Sequence, residues 1–172
     1  MGLFGKDPAP GTRRFQMRED MFAIGDDFWI EDESGAKAYR VDGKAIHLRE
    51  TFLLQDASGG ELAKIQERKL NIRDTMKIER GPLEATVRKR LVGIRDHYKV
   101  DVEDGTDYKV HGKITDHEYE IDYDDVTVAR ISKKWFRVRD TYGVEIAQKQ
   151  DVVLLLAITV CVDTMARAHD VD

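Results

Sequence analysis

Two hydrophobic periods run through this chain, one short and repeated, the other long and used once. From Phe28 onward, segments of four to seven residues alternate apolar and polar side chains and are separated by Gly- and Asp-rich clusters. Phe28-Trp29-Ile30 precedes Asp32-Glu33-Ser34-Gly35, and Ala38-Tyr39-Arg40-Val41 precedes Asp42-Gly43-Lys44. Phe52-Leu53-Leu54 precedes Asp56-Ala57-Ser58-Gly59-Gly60, which leads into Leu62-Ala63-Lys64-Ile65. Further breaks fall at Asp104-Gly105, Val110-His111-Gly112-Lys113 and Asp124-Asp125. A period of two puts one face of each segment in a core and the other in water, so these are strands joined as hairpins. Many short strands at even spacing predict a β-sandwich or a barrel.

Near the C-terminus the alternation stops. Val152 to Val162 reads Val-Val-Leu-Leu-Leu-Ala-Ile-Thr-Val-Cys-Val between Asp151 and Asp163. The run is too long for an ordinary buried strand and continues into Met165, Ala166, Arg167 and Ala168, which predicts a helix over about 151–168. Asp151 is placed to cap its N-terminus, and Arg167 and His169 lie where cations favour the other end. A helix apolar on every side must be enclosed on every side. The run covers roughly 16 Å as a helix, against the ~30 Å of a bilayer core. The enclosure must therefore come from the protein. A closed or nearly closed antiparallel barrel too wide for its own side chains to fill would supply it, with the helix inside.

The chain also echoes itself. Ala63-Lys64-Ile65 through Asp74-Thr75 returns as Ala129-Arg130-Ile131 through Asp140-Thr141, and Val41-Asp42-Gly43-Lys44 returns as Val110-His111-Gly112-Lys113. A shorter echo relates Phe28…Asp32-Glu33-Ser34-Gly35 to Phe52…Asp56-Ala57-Ser58-Gly59. The series predicts two related β halves within one domain over residues 15–172, behind a loose polar tail at 1–14.

Three stretches carry a resemblance to a known family. Phe22-Ala23-Ile24-Gly25-Asp26-Asp27-Phe28-Trp29-Ile30-Glu31-Asp32-Glu33-Ser34-Gly35, then Tyr39-Arg40-Val41-Asp42-Gly43-Lys44, then the Leu-rich tail ending at Val162-Asp163, resemble the short bacterial LURP-one-related proteins. The resemblance covers about residues 15–168 and implies a tubby C-terminal-like fold. In that fold a closed antiparallel barrel of about twelve strands surrounds a hydrophobic C-terminal helix, as in phospholipid scramblases. It supplies no catalytic residue. Tubby domains of the wider superfamily bind phosphoinositides, which offers an analogy for ligand class.

Composition narrows the function classes. A net charge of -5 argues against a nucleic-acid partner. Cys161, the single cysteine, lies within the apolar run and reads as a small buried hydrophobe. The N-terminus has no apolar signal core, and Lys6 stands where a myristoylation motif wants Ser or Thr, so a cytoplasmic location is expected. Neither the Walker nor the dinucleotide glycine spacing occurs, and no Ser or Cys has a legible His-Asp partnership, so no cofactor and no enzymatic activity are expected.

His111 and His117 could share a metal with Asp116 or Glu118, but the spacing matches no known zinc pattern. Solvated histidines are the simpler reading, and no metal is expected. Glu118, Glu120 and Asp122 fall on one strand face without a calcium-loop pattern, which reads as a solvated face.

The basic residues are the candidate chemistry. On a strand, Lys133, Trp135, Arg137 and Arg139 would all point outward, with Phe136 and Val138 inward. An outward strip of cations with a Trp suits an anionic lipid headgroup. Lys69, Asn71 and Arg73 would repeat the arrangement, and Arg88-Lys89-Arg90 adds a third basic run. The bland alternative is a solvated wall balanced by the many acids. The expected function is a non-enzymatic binding module for an anionic lipid headgroup or a protein partner. A scramblase-like lipid-handling protein is the alternative, although it would require a segment that enters the membrane.

Overall fold

The computed structural model of the chain describes residues 11–18, 27–46, 49–68, 75–92, 95–135 and 140–169. Twelve strands follow one another: β1 (Arg13–Arg18), β2 (Phe28–Asp32), β3 (Lys37–Ile46), β4 (Arg49–Asp56), β5 (Glu61–Arg68) and β6 (Thr75–Arg80) form the first half. The second half is β7 (Leu83–Val92), β8 (Arg95–Val102), β9 (Asp107–Lys113), β10 (Glu118–Tyr123), β11 (Val126–Ser132) and β12 (Thr141–Ile146), followed by α1 (Val152–His169). Each strand pairs antiparallel with its chain neighbours, and β1 closes the barrel on β12 with Arg13 opposite Ile146 and Arg18 opposite Thr141. Closure leaves no open sheet edge. The closed barrel around a C-terminal helix is the expected fold.

Alternation does its work strand by strand. On β1 Phe15 and Met17 point in, on β6 Met76 and Ile78, on β10 Tyr119 and Ile121, and all six are buried. α1 runs roughly 27 Å, and Val153 through Ala166 are buried without a break. A leucine enclosed in this way contributes about 1.5–3 kcal/mol over an exposed one. The hydroxyls in this apolar helix are satisfied within it, Thr159 donating to the Leu155 carbonyl at 2.9 Å and Thr164 to that of Val160 at 2.7 Å. Asp151 is the N-cap: its carboxylate accepts from the Leu154 N–H at 3.2 Å and lies 3.3 Å from Arg80 of β6.

The echoes have a structural meaning. β5 and β11 carry the long one and β3 and β9 the short one, each pair lying six strands apart in a barrel of twelve. Ala63 and Ile65 are buried at the positions that Ala129 and Ile131 occupy half a barrel away. The third echo is a turn. Asp32 accepts from the Ser34 N–H and hydroxyl and the Ala36 N–H, and Asp56 does the same with Ser58 and Gly60. The serine hydroxyl first, then backbone N–H groups, hold both carboxyls below the usual aspartate value.

Three expectations need correction. Gly43 lies inside β3 opposite Phe52, and Gly112 inside β9 opposite Tyr119, so neither marks a turn. Gly112 has φ 135°, and a Cβ there would meet the Glu118 carbonyl oxygen and Tyr119 Cα at 2.7 Å; it is glycine because two backbones approach closely. Arg13 and Arg14, expected in the tail, open β1, because their pairing with β12 closes the barrel.

Candidate functional site

The basic stretch after β11 does not continue as a strand. Lys133–Trp135 form a 3-10 helix. Local polar chemistry turns the chain there. The Ser132 hydroxyl donates to Glu118 at 3.0 Å and accepts from the Lys134 N–H at 3.1 Å, while the Lys133 N–H donates to the same Glu118 oxygen at 3.1 Å. A serine bonded two residues ahead offers the backbone an alternative to the ladder. The expected outward alternation therefore fails at Lys133 and Trp135. Arg137 and Arg139, like Lys69, Asn71 and Arg73, lie outside the described residues.

The 3-10 helix packs against β12, and all six residues of β12 are buried. Tyr142, Val144 and Ile146 alternate with Thr141, Gly143 and Glu145. Glu145, fully buried, is held by Arg14 Nε at 2.6 Å, and the Arg14 guanidinium lies 5.1 Å from the Trp135 ring centroid. Among the described residues, Arg14 Nη2 and Glu145 Oε1 are buried without a hydrogen-bond partner. Carboxylate, guanidinium and indole thus form a stack that fixes Trp135 half-buried at the edge of a groove.

That groove has a volume of about 360 Å³ and runs over β9, β10 and β11, with Lys134 and Trp135 on one wall and Arg130, Glu120 and His111 on its floor. Arg130 binds Glu120 through Nε at 3.1 Å and Nη2 at 2.8 Å. Glu118, Glu120 and Asp122 share the outward face as the alternation requires, with Tyr119 and Ile121 facing in. Ser132 is committed to its structural bonds. The groove offers cations, an aromatic wall and carboxylates, which suits binding.

The two histidines expected to share a metal are separated. His111 faces outward and its Nε2 lies 2.7 Å from Asp122. His117, in the turn after β9 with φ 51°, reaches toward the core helix. There Asp163 of α1, 2% exposed, accepts a hydrogen bond from the Tyr119 hydroxyl at 2.8 Å and another from that of Tyr142. The His117 ring stacks on Tyr142 at 4.3 Å, with Nδ1 3.7 Å from Asp163. Burial first, then the neighbouring Asp163 charge, raises the Tyr119 hydroxyl well above the usual tyrosine value. Burial also raises the Cys161 thiol, so it is no nucleophile. Sequence reading missed this cluster, whose only signal was an aspartate closing an apolar run.

A second outward pairing of cations with tryptophan appears on β2 and β3. The Trp29 ring has Lys37 Nζ at 4.8 Å and the Arg40 guanidinium at 6.0 Å, and Arg40 pairs with Asp27. Alternation hid it because the three residues come from two strands.

Among the described residues no helix is long and apolar enough to cross a membrane. A family model described as LURP-one-related matches residues 13–163. No curated protein matches the chain. Among solved structures, the X-ray structure of a protein from Arabidopsis thaliana is similar, with a TM-score of 0.65 and 16% identity over 97% of this chain and 99% of that one. At that identity the likeness speaks for the fold alone.

Proposed function

The chain belongs to the LURP-one-related family, and on that footing we propose that it is a non-enzymatic binding module of the cytoplasm whose outer groove takes an anionic lipid headgroup. The observation that carries the reading is the placement of Lys133, Lys134 and Trp135 in one 3-10 turn, the last two walling a groove with Arg130 on its floor. Cations beside an interfacial indole attract a phosphate-bearing headgroup, at about 1 kcal/mol for each Lys or Arg near an anionic surface. The overall charge of -5 opposes that attraction, so the local group must prevail at short range. Arg137 and Arg139 would extend the same cationic segment. The scramblase-like alternative gains nothing beyond the shared fold, since the helix that would have to meet lipid is enclosed by the barrel.

Sedimentation with phosphatidylserine and phosphoinositide vesicles tests the reading. Binding is expected to weaken with salt, and Lys133→Ala with Lys134→Ala to reduce it by roughly tenfold or more. Lys109→Ala, an exposed cation near Asp125, serves as control. Absence of salt-dependent binding to every anionic vesicle would leave the protein-partner reading, which Tyr123 and Val126 support as the exposed large hydrophobics among the described residues.

A further inference from the structure

The outward face of β8, β9 and β10 gathers nitrogen and oxygen donor atoms, two of them, from His111 and Glu120, on the floor of the same groove. His111 of β9 stands directly opposite Glu120 of β10 on one side and His97 of β8 on the other. Directly opposed residues share a face, with Cβ atoms about 4.5–5.5 Å apart. Asp122, two residues beyond Glu120, completes the group, and one donor atom each from His111, Glu120 and Asp122 lies within 4.8 Å of the other two. The geometry points to a binding site for a single divalent transition-metal ion, ligated by His111 Nε2, Asp122 and Glu120.

The hydrogen bonds already present leave the required lone pairs in place. Arg130 binds Glu120 Oε1, and Oε2 has a 3.5 Å contact with the Thr127 hydroxyl. Thr127 donates to Asp122 Oδ1 at 2.9 Å and so orients that carboxylate, leaving Oδ2 turned to His111 at 2.7 Å. A hydrogen bond that orients a ligating carboxylate is a usual companion of a metal site. The ion would take the place of the direct contact between Nε2 and Oδ2. With metal–ligand distances of about 2.0–2.2 Å the two atoms must part to roughly 3.3 Å, within the range of side-chain rotation.

The donor set chooses the ion. Imidazole with carboxylate suits Zn2+, Co2+ or Ni2+, whereas Mg2+ and Ca2+ prefer oxygen alone. The two carboxylates outweigh the one guanidinium beside them. His111 and Asp122 are 38% and 20% exposed at the side chain, so the ion can enter from water and keep waters as its remaining ligands. Sequence spacing did not reveal the site because its donors come from separate strands and meet through register.

Calorimetric titration of the metal-free full chain with ZnCl2, in a buffer without phosphate or lipid, tests the inference. One equivalent should bind with a Kd below about 100 µM, and Mg2+ and Ca2+ should not compete at millimolar concentration. His111→Ala and Asp122→Asn should each weaken Zn2+ binding at least tenfold while keeping the wild-type melting temperature of the metal-free protein. His169→Ala, on the helix, should leave affinity unchanged. With Co2+ as a second probe, the wild type should develop a visible d–d band that His111→Ala lacks. Binding weaker than that limit, or binding that both cluster variants retain, overturns the site. No lipid is present, so the outcome is independent of the vesicle experiment.

Discussion

Asp163 is the residue whose placement demands most of its neighbours. A carboxylate in a barrel interior is costly unless hydrogen-bonded, and the Tyr119 and Tyr142 hydroxyls supply the donors. Tyr119→Phe should remove one and cost about 1–3 kcal/mol, lowering the melting temperature by about 2–4 °C for each kcal/mol. The raised Tyr119 value adds a pH dependence. In the folded state the phenol keeps its proton at pH values where the unfolded chain, titrating near 10.0, releases it. That contribution is fully present below pH 10 and is lost as pH rises toward the folded value. Thermal melts from pH 8 to 11 should therefore show a steeper alkaline loss of stability in the wild type than in Tyr119→Phe. Parallel curves would mean that Tyr119 does not carry the linkage.

At the scale of elements the helix dominates. Leu155 has no exposed surface and lies in an unbroken buried run. Leu155→Ala should leave a folded protein weakened by about 2–5 kcal/mol. Leu155→Asp should not fold, because an unpaired buried carboxylate outweighs a stability margin of about 5–15 kcal/mol. Circular dichroism and melting curves distinguish the two, and a Leu155→Asp protein with wild-type melting would remove the helix from the core. Strands such as β2, β4 and β5 were legible from period two. The glycines of β3 and β9 were not, since Gly43 and Gly112 resemble turn residues until the neighbouring strand shows what a Cβ would strike.

The whole molecule depends on closure. β1 pairs with β12, so the first and last strands hold each other, and α1 is enclosed only when the ring is complete. The two halves echo each other six strands apart, yet neither has a core of its own. A fragment ending at Gly81 keeps β1 to β6, exposes two sheet edges and lacks the helix. It should remain unfolded or aggregate. A dispersed amide NMR spectrum from that fragment would show instead that each half folds alone.

The sequence by itself determined the fold class and the enclosed helix with its Asp151 cap, because these follow from local periodicity. An all-round apolar helix and many half-apolar strands have one economical arrangement. Only the tertiary structure decided which polar groups meet. The strand expected at Lys133 became a 3-10 turn because Glu118, fourteen residues before Ser132, captures the Ser132 hydroxyl and the Lys133 N–H. Arg14 and Glu145 join across 131 positions, and Tyr119 and Tyr142 find Asp163 from different strands. His97, His111 and Glu120 align through register between strands. Hydrophobic burial is set by each residue's own position within its element, and period alone reports it. A hydrogen bond or a metal site needs atoms from separate elements within about 3 Å, and that distance exists only once the barrel has closed.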